Sequence, residues 1–554
     1  MRSLLLLLCG LFVAPVARGQ SSDDFRARQV DSLFAHLNQG ISPGIAVAVV
    51  RDGKVILRRG YGLADLEHHV PVTPTTVFDV ASLAKQVTGF AIATLVADGK
   101  IALGDDIRRH VPELPDFGRV ITIDHLVHHA SGLRDWVGTL SVAGWRRNDA
   151  ITSRDVMTMA QAQGALNFVP GTRSLYSNTG YVVLAELVQR VTGKPFAEWA
   201  RANLFAPLGM TSTHLRADYA EVIPDRAFGY GRNPDGSFRA TPNLLAAPGS
   251  SSLFTTVDDF AKWMINFDTG AVGGRRAVEV MRAPGKLSDG TVVRYGYGIT
   301  TGTSPFNGLP FFSSNGGWAS FTAFDAYFPE QRFGVVVFSN SEVVNAQQAA
   351  IQITNLYLPP TPRADSAQAS PRAASPSPSD LDAFAGLYRF DSGSHVRITR
   401  FGSMLLSQVP REGNLVMSPK SEREFGVEHE DDETPVAFER TAGGRATALT
   451  YGGRRAVRAD STSLERPDLA AFAGDYDSEE LGTSYRVTRK GGALQLEHRR
   501  RGTIPLTWLW GDEFSGLDYY FGSVEFERDR SGKVTGLVIN GDPRSLNLRF
   551  TRRR

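Results

Sequence analysis

The stretch Phe78-Asp79-Val80-Ala81-Ser82-Leu83-Ala84-Lys85-Gln86-Val87 decides how the rest of this 554-residue chain is read. From Leu83 the apolar residues fall at Leu83, Val87, Phe90, Ala91 and Leu95, one face of a helix, and the pattern stops at Asp98-Gly99. Ser82 and Lys85 stand three apart where that helix begins, so their side chains share its first turn. A serine hydroxyl is a poor nucleophile until a base takes its proton. A neutral lysine amine is such a base when burial or nearby positive charge disfavours the ammonium form. The helix N-terminus adds partial positive charge, which acts in the same sense and also favours a developing oxyanion. The alternative on these ten residues alone is a serine cap followed by a solvated lysine.

Working outward, the composition is that of a globular protein, with 42% apolar and 21% charged residues and enough length for two to four domains. A net charge of +2 gives no reason to expect a nucleic-acid partner. Basic runs such as His498-Arg499-Arg500-Arg501 and Arg552-Arg553-Arg554 read as solvated faces. At the N-terminus, Arg2, the apolar run Leu4 to Val16 and the small residues around Ala17-Arg18-Gly19 read as an export signal over residues 1–19, cleaved near Gln20. The expected location is therefore periplasmic or secreted. No later stretch is long and apolar enough to cross a bilayer. The only cysteine, Cys9, lies inside that signal, so a cysteine nucleophile and thiolate metal sites are excluded from the mature chain.

A hairpin precedes the Ser82 helix: Ile45 to Val50 and Val55-Ile56-Leu57 flank Asp52-Gly53, a strong two-residue turn signal. His125, His128 and His129 follow Thr122 at i, i+3, i+4 spacing. They read as hydrogen-bonding residues of a short helix rather than as a metal face, because no acidic ligand completes a set. Pro170-Gly171-Thr172 leads to Tyr176-Ser177-Asn178, and a helical run from Tyr181 to Val191 ends at Gly193. Thr256 caps another helix. Asn315-Gly316-Gly317-Trp318 enters an apolar segment ending at Phe328, Phe333 to Phe338 is β-prone, and a last helix is expected from Asn345 to Tyr357.

Residues 359–380 have a Pro/Ala/Ser linker composition. Beyond them short β-prone runs dominate, with no convincing amphipathic helix. Asp380-Leu381-Asp382-Ala383-Phe384-Ala385-Gly386-Leu387-Tyr388 recurs as Asp468-Leu469-Ala470-Ala471-Phe472-Ala473-Gly474-Asp475-Tyr476. The tail therefore reads as two copies of one small β module, over 381–460 and 468–554, each of a size that closes into a barrel.

Ser82-Leu83-Ala84-Lys85, Tyr176-Ser177-Asn178 and the glycine pair after Asn315 resemble, in order, the three signature elements of the penicillin-recognising serine hydrolases. The branch is that of class C β-lactamases, D-aminopeptidases, DD-peptidases and esterases. The flanks Val169-Pro170-Gly171-Thr172 and Pro207-Leu208-Gly209-Met210-Thr211 are similar too, and the resemblance spans about Ile45 to Asn340. It implies an α+β fold over 24–358: an antiparallel sheet flanked by helices, a helical subdomain, and an active site between them. The tail is more loosely similar to the paired barrels of some D-aminopeptidase and esterase relatives.

The resemblance implies that Ser82 forms an acyl-enzyme, with Lys85 and Tyr176 sharing the base role and Tyr176 activating the hydrolytic water. The oxyanion would lie between the backbone N–H groups of Ser82 and Trp318, with Asn178, Asn315, Gly316 and Gly317 completing the substrate site. No metal or cofactor is expected, and the partner is a small molecule, a peptide or a cell-wall fragment. Asn315 stands where the family usually carries lysine or histidine facing a substrate carboxylate. That predicts a preference for neutral esters or amides over β-lactams. A second departure is Ser320, where relatives often carry glycine. A non-catalytic relative that only binds peptides or cell-wall fragments is the competing reading. A loop from the tail closing over the cleft is a further expectation.

Overall fold

The computed structural model describes residues 17–358, 377–392, 394–409, 413–428, 433–441, 444–459, 466–516 and 518–554. Residues 1–16 lie outside it, and with them most of the expected export signal. The helix Ala17–Phe34 begins there and runs through the expected cleavage point. Most of the expected linker, 359–376, lies outside as well. Among the described residues no helix is long and apolar enough to cross a membrane.

Ile45 to Val50 is apolar throughout because that strand has a neighbour on either side in a sheet and is buried on both faces. It pairs with Lys54–Tyr61 across a turn in which Asp52 (φ 51°) and Gly53 (φ 73°) both take left-handed backbone, the geometry a two-residue hairpin needs. On its other edge it pairs antiparallel with Phe333–Ser339, from the far end of the region before the tail. The order continues through Phe321–Phe328, Pro310–Trp318, Ile299–Thr303 and Tyr295–Gly296 to give seven strands. Helices Ala17–Phe34 and Ala346–Tyr357 cover one face, where Ile45, Val47, Phe324 and Phe328 pack. The other face, with Ala46, Ala48, Phe312 and Ala323, packs with the helices Ala84–Ala97 and Val257–Thr269. The helices Trp136–Val142, Ser153–Ala162 and Asn178–Thr192 form a second, helical body beside Ala84–Ala97. The Ser82 turn lies where the two bodies meet.

The tail forms two closed eight-stranded barrels, from Gly386–Phe390 to Arg454–Arg458 and from Gly474–Ser478 to Leu548–Arg552. Closure leaves no open strand edge. One expectation fails here. Ser377 caps a short helix, Pro378–Phe384, so the final residues assigned to the linker already form part of the first module. The second barrel packs on the helical body, with Val142 lodged among its core residues and Tyr485 Oη donating to the Val142 carbonyl at 2.8 Å.

Candidate active site between the sheet and the helical body

Ser82 sits in a single 3₁₀ turn, Ala81–Leu83, that runs straight into the helix Ala84–Ala97. The turn begins with a strained residue: Ala81 has φ 48° without being glycine. Its N–H donates to Asp79 Oδ1 at 2.8 Å, and Asn243 Nδ2 donates to Asp79 Oδ2 at 2.6 Å. Burial raises the Asp79 carboxyl above its ordinary range, against the lowering effect of those two donors. Asp79 thus ties down the residue next to the serine.

Lys85 is fully buried. Its Nζ lies 2.7 Å from Asn178 Oδ1, 2.7 Å from the Ser250 carbonyl oxygen and 3.2 Å from Ser82 Oγ. Two of these three partners accept only. A neutral amine has two N–H bonds and one lone pair. If Asn178 and Ser250 take the N–H bonds, the lone pair is left for the Ser82 hydroxyl. Tyr176 Oη reaches Ser82 Oγ at 2.9 Å, and the Lys85 nitrogen stands 4.7 Å from the centre of the Tyr176 ring. An alcohol, an amine and a phenol spread over 94 positions therefore meet at one oxygen.

Tyr176 and Asn178 are placed by contacts that the sequence reading missed. Ser177 caps the helix Asn178–Thr192 and donates its own N–H to His129 Nδ1 at 3.2 Å. His129 is buried, and its ring lies 4.4 Å from that of Tyr176 and stacks on Tyr295 at 4.5 Å. Burial holds its pKa well below the usual value, so it stays neutral. His125 bonds locally, accepting from the Thr122 N–H, but His128 Nδ1 bonds to the Tyr295 carbonyl, 167 residues away. Asp135 Oδ2 accepts from Asn178 N at 3.1 Å and from Asn178 Nδ2 at 2.7 Å. Asp135 is not singled out in the sequence, and the Ser250 carbonyl carries no side-chain signal.

The strand Pro310–Trp318 corrects one assignment. Its partner pairs it with Ile299–Thr303 only as far as Ser313, so its edge from Ser314 to Trp318 is free of that neighbour. A Cβ on Gly316 would stand 2.3 Å from the Val80 carbonyl oxygen and 3.1 Å from Ser82 N, whereas one on Gly317 would meet nothing closer than 3.8 Å. Gly316 is therefore the glycine that lets the strand approach the serine. Side chains alternate along a strand. Phe312, Ser314, Gly316 and Trp318 share the Ser82 face. Asn315 is exposed and opposite Phe324, on the face covered by the terminal helices. The residue on the serine side, two before the close-approach glycine, is Ser314 and not Asn315. Both are uncharged. At the strand's end Ala319 (φ 48°) and Ser320 (φ 66°) form the turn, so Ser320 occupies a left-handed position that suits glycine. Trp318 packs 5.8 Å from Trp136, and Arg147 covers its other side at 5.6 Å.

Residues 30–358 match the family described as Beta-lactamase. That is more than half of the chain. It belongs to this family. The chain is 27% identical over 465 residues to a D-aminopeptidase of Gluconobacter oxydans, covering 83% of this chain and 84% of that protein. It is 24% identical over 419 residues to penicillin-binding protein 4* of Bacillus subtilis, covering 72% and 91%. Its fold is similar to that of the octameric penicillin-binding protein homologue from Pyrococcus abyssi, with TM-score 0.56 and 22% identity over 78% of this chain and 99% of that one. It is also similar to the fold of SurE, with TM-score 0.52 and 20% identity over 79% and 100%. Family membership supports a serine hydrolase in general terms and leaves the substrate open.

Proposed function

We propose that this family member is an exported hydrolase that opens an ester or amide through an acyl-enzyme on Ser82. The observation that carries the reading is the convergence of Tyr176 Oη (2.9 Å) and Lys85 Nζ (3.2 Å) on one serine oxygen. Ser82 Oγ attacks the substrate carbonyl as its proton passes to the Lys85–Tyr176 pair, and the leaving group departs with a proton from the same pair. Water then attacks the acyl carbonyl, Tyr176 takes its proton and passes it to Ser82 Oγ, and the acyl C–O bond breaks to release the acid and the free serine. The Ser82 and Trp318 N–H groups hold the oxyanion. Asn178 fixes Lys85, and Gly316 admits the strand edge along which the substrate lies.

Ser314 in place of a cation on the serine side favours neutral esters and amides over carboxylate-bearing β-lactams. A charge-assisted bond is worth about 1.5–3 kcal/mol against about 0.5–1.5 for a neutral one, which is roughly a tenfold difference in rate. The D-aminopeptidase relative points the same way, toward amides.

A fluorophosphonate probe tests the first half. The wild type is expected to label and Ser82→Ala is not; equal labelling of the two would reject Ser82 as nucleophile. A chromogenic cephalosporin beside a short-chain p-nitrophenyl ester tests the second. Ser314→Lys is expected to raise cephalosporin turnover about tenfold relative to the ester, and Asn315→Lys to leave the ratio unchanged. The opposite pattern would return the carboxylate-facing role to position 315.

A further inference from the structure

The loop 541–547 of the second barrel grips the segment that carries Asp135. Asp135 N donates to the Arg544 carbonyl at 2.8 Å, and Ser545 Oγ donates to the Asp135 carbonyl at 3.3 Å. Asn167 fastens the loop from the other side, donating to the Arg544 carbonyl at 2.8 Å and accepting from Leu546 N at 3.0 Å. The adjacent Arg134, 1% exposed, pairs with Glu480 and donates to the Asn547 carbonyl at 2.9 Å. The grip is tight: a Cβ on Gly138 would lie 2.3 Å from Ser545 Oγ.

Asp135 spends its carboxylate in two directions. Oδ1 caps its own helix by accepting from Val137 N at 2.7 Å, and Oδ2 takes the Asn178 N–H and amide NH₂. A carboxylate only accepts, so it obliges Asn178 to turn its NH₂ toward Asp135 and its oxygen toward Lys85. Were the amide reversed, its NH₂ would face the Lys85 nitrogen and compete with the Ser82 hydroxyl for the amine lone pair. The orientation of one amide thus decides where that lone pair points.

We propose that Asp135 is a positioning residue for this hydrolase, and that the second barrel, through its loop 541–547, holds Asp135 in the position that aims Lys85 at Ser82. The barrel then acts as a built-in activator of a site to which it contributes no reacting atom. This rests on the serine-hydrolase reading above. The titratable and charged groups around Asp135 are Lys85 behind Asn178, the ion pair Arg134–Glu480, and Asp542 with Arg544 on the loop. Asp542 is itself buried, and both its burial and the Asp135 charge raise its carboxyl.

The test is the rate of fluorophosphonate labelling of the full-length protein as a function of pH, with the thermal transition measured on each variant. Ser82→Ala serves as the control; if it labels like the wild type, the hydrolase reading fails and this proposal falls with it. With that control negative, Asp135→Asn is expected to slow labelling about 100-fold, the scale of a misplaced reacting group. The acid limb of its profile is expected to move to lower pH, because an amide donor now competes for the amine lone pair. In the double variant Asp135→Asn/Asn178→Asp one donor again faces one acceptor, but the new carboxylate beside Lys85 favours its ammonium form. Its acid limb is therefore expected to move the other way, to higher pH. Wild-type rate and profile in Asp135→Asn would overturn the positioning role.

The barrel's part is read from Gly138→Ala, which touches neither Asp135 nor the reacting groups and suits a helix better than glycine does. It is expected to slow labelling about tenfold, a fraction of the full misplacement penalty, with Ser545→Gly in the same chain restoring it by removing the clashing atoms. A Gly138→Ala protein that labels at the wild-type rate would overturn the barrel's part. The Gly138 pair also keeps the proposal testable should Asp135→Asn fail to fold.

Discussion

The two barrels are wired alike inside and differ on the outside. In the first, Tyr388 Oη donates to the Phe384 carbonyl at 2.7 Å, and Phe384 stacks on Phe438 at 4.4 Å. In the second, Tyr476 Oη donates to the Phe472 carbonyl at 2.7 Å, and Phe472 lies 4.5 Å from Phe526. An arginine covers each tyrosine, Arg458 and Arg552, and each donates to the backbone of its own entry segment. The repeat seen in the sequence is thus a repeated plug in the mouth of a barrel. The outside diverges at one inward position: Tyr388 pairs with Val396, and Tyr476 pairs with Tyr485. The Tyr485 hydroxyl reaches out to Val142, so the second barrel has a dock on the catalytic region where the first has a plain wall. The first barrel reaches the second instead, through Arg397 to the Leu509 carbonyl and Gln408 to Ser515. One plug therefore supports a module, and the other supports a module on which the active site leans.

The largest effect that separates them comes from emptying each plug. Phe384→Ala and Phe472→Ala each remove a fully buried ring and are expected to cost their own barrel about 3–5 kcal/mol. Only Phe472→Ala is expected to slow fluorophosphonate labelling, because only that barrel carries the 541–547 loop. Equal slowing by both would mean that the two barrels act on the site as a single block. A smaller effect is expected at the dock itself. Tyr485→Phe removes one buried hydroxyl and leaves the Val142 carbonyl unpaired, a loss of about 1 kcal/mol read from the thermal transition. Val396→Ala in the first barrel is a matched cavity control, and it is expected to leave the labelling rate alone. If Val396→Ala slows labelling, the contrast between the two walls disappears.

What was legible in the sequence follows from how far each signal reaches. The i, i+3 pair Ser82/Lys85, the Asp52-Gly53 turn and the 88-residue repeat are local patterns, and local geometry turns them directly into a helix start, a hairpin and two plugs. The family membership was legible because three such patterns stand in order. The register of the Asn315 strand was within reach but misread: Phe312, Ser314, Gly316 and Trp318 alternate with period two, and that would have put Asn315 on the far face. The Ser250 carbonyl was out of reach, since every residue offers the same oxygen and only its Cα position decides what it bonds. Asp135 was passed over, because the partner of its second oxygen lies 43 residues away. The hold of loop 541–547 on it spans some 410 residues.

The smallest expected effect is a pH dependence of the dock. His498 Nδ1 accepts from Arg500 N at 3.2 Å and from Arg501 N at 3.3 Å, while Nε2 pairs with Thr483 Oγ1 at 2.9 Å. That turn is part of the junction: Arg501 donates to the Ser141 carbonyl, Arg500 pairs with Asp149, and the ring faces Gly144 so closely that a Cβ there would meet it at 2.0 Å. A protonated Nδ1 could no longer accept, and burial, then Arg499, Arg501 and Arg500, hold the His498 pKa below its ordinary 6.5. The sign follows by linkage. A histidine whose folded value is depressed contributes its full stabilisation above pH 6.5 and loses it as pH falls from there through the folded value. His498→Gln keeps an acceptor without the titration. The wild type is therefore expected to lose melting temperature relative to His498→Gln on going from pH 7.5 to pH 5, with the difference opening only below about 6.5. Parallel curves for the two proteins across that range would show that the junction does not sense the histidine's charge, and the dock would then owe its stability to Val142, Tyr485 and the arginines alone.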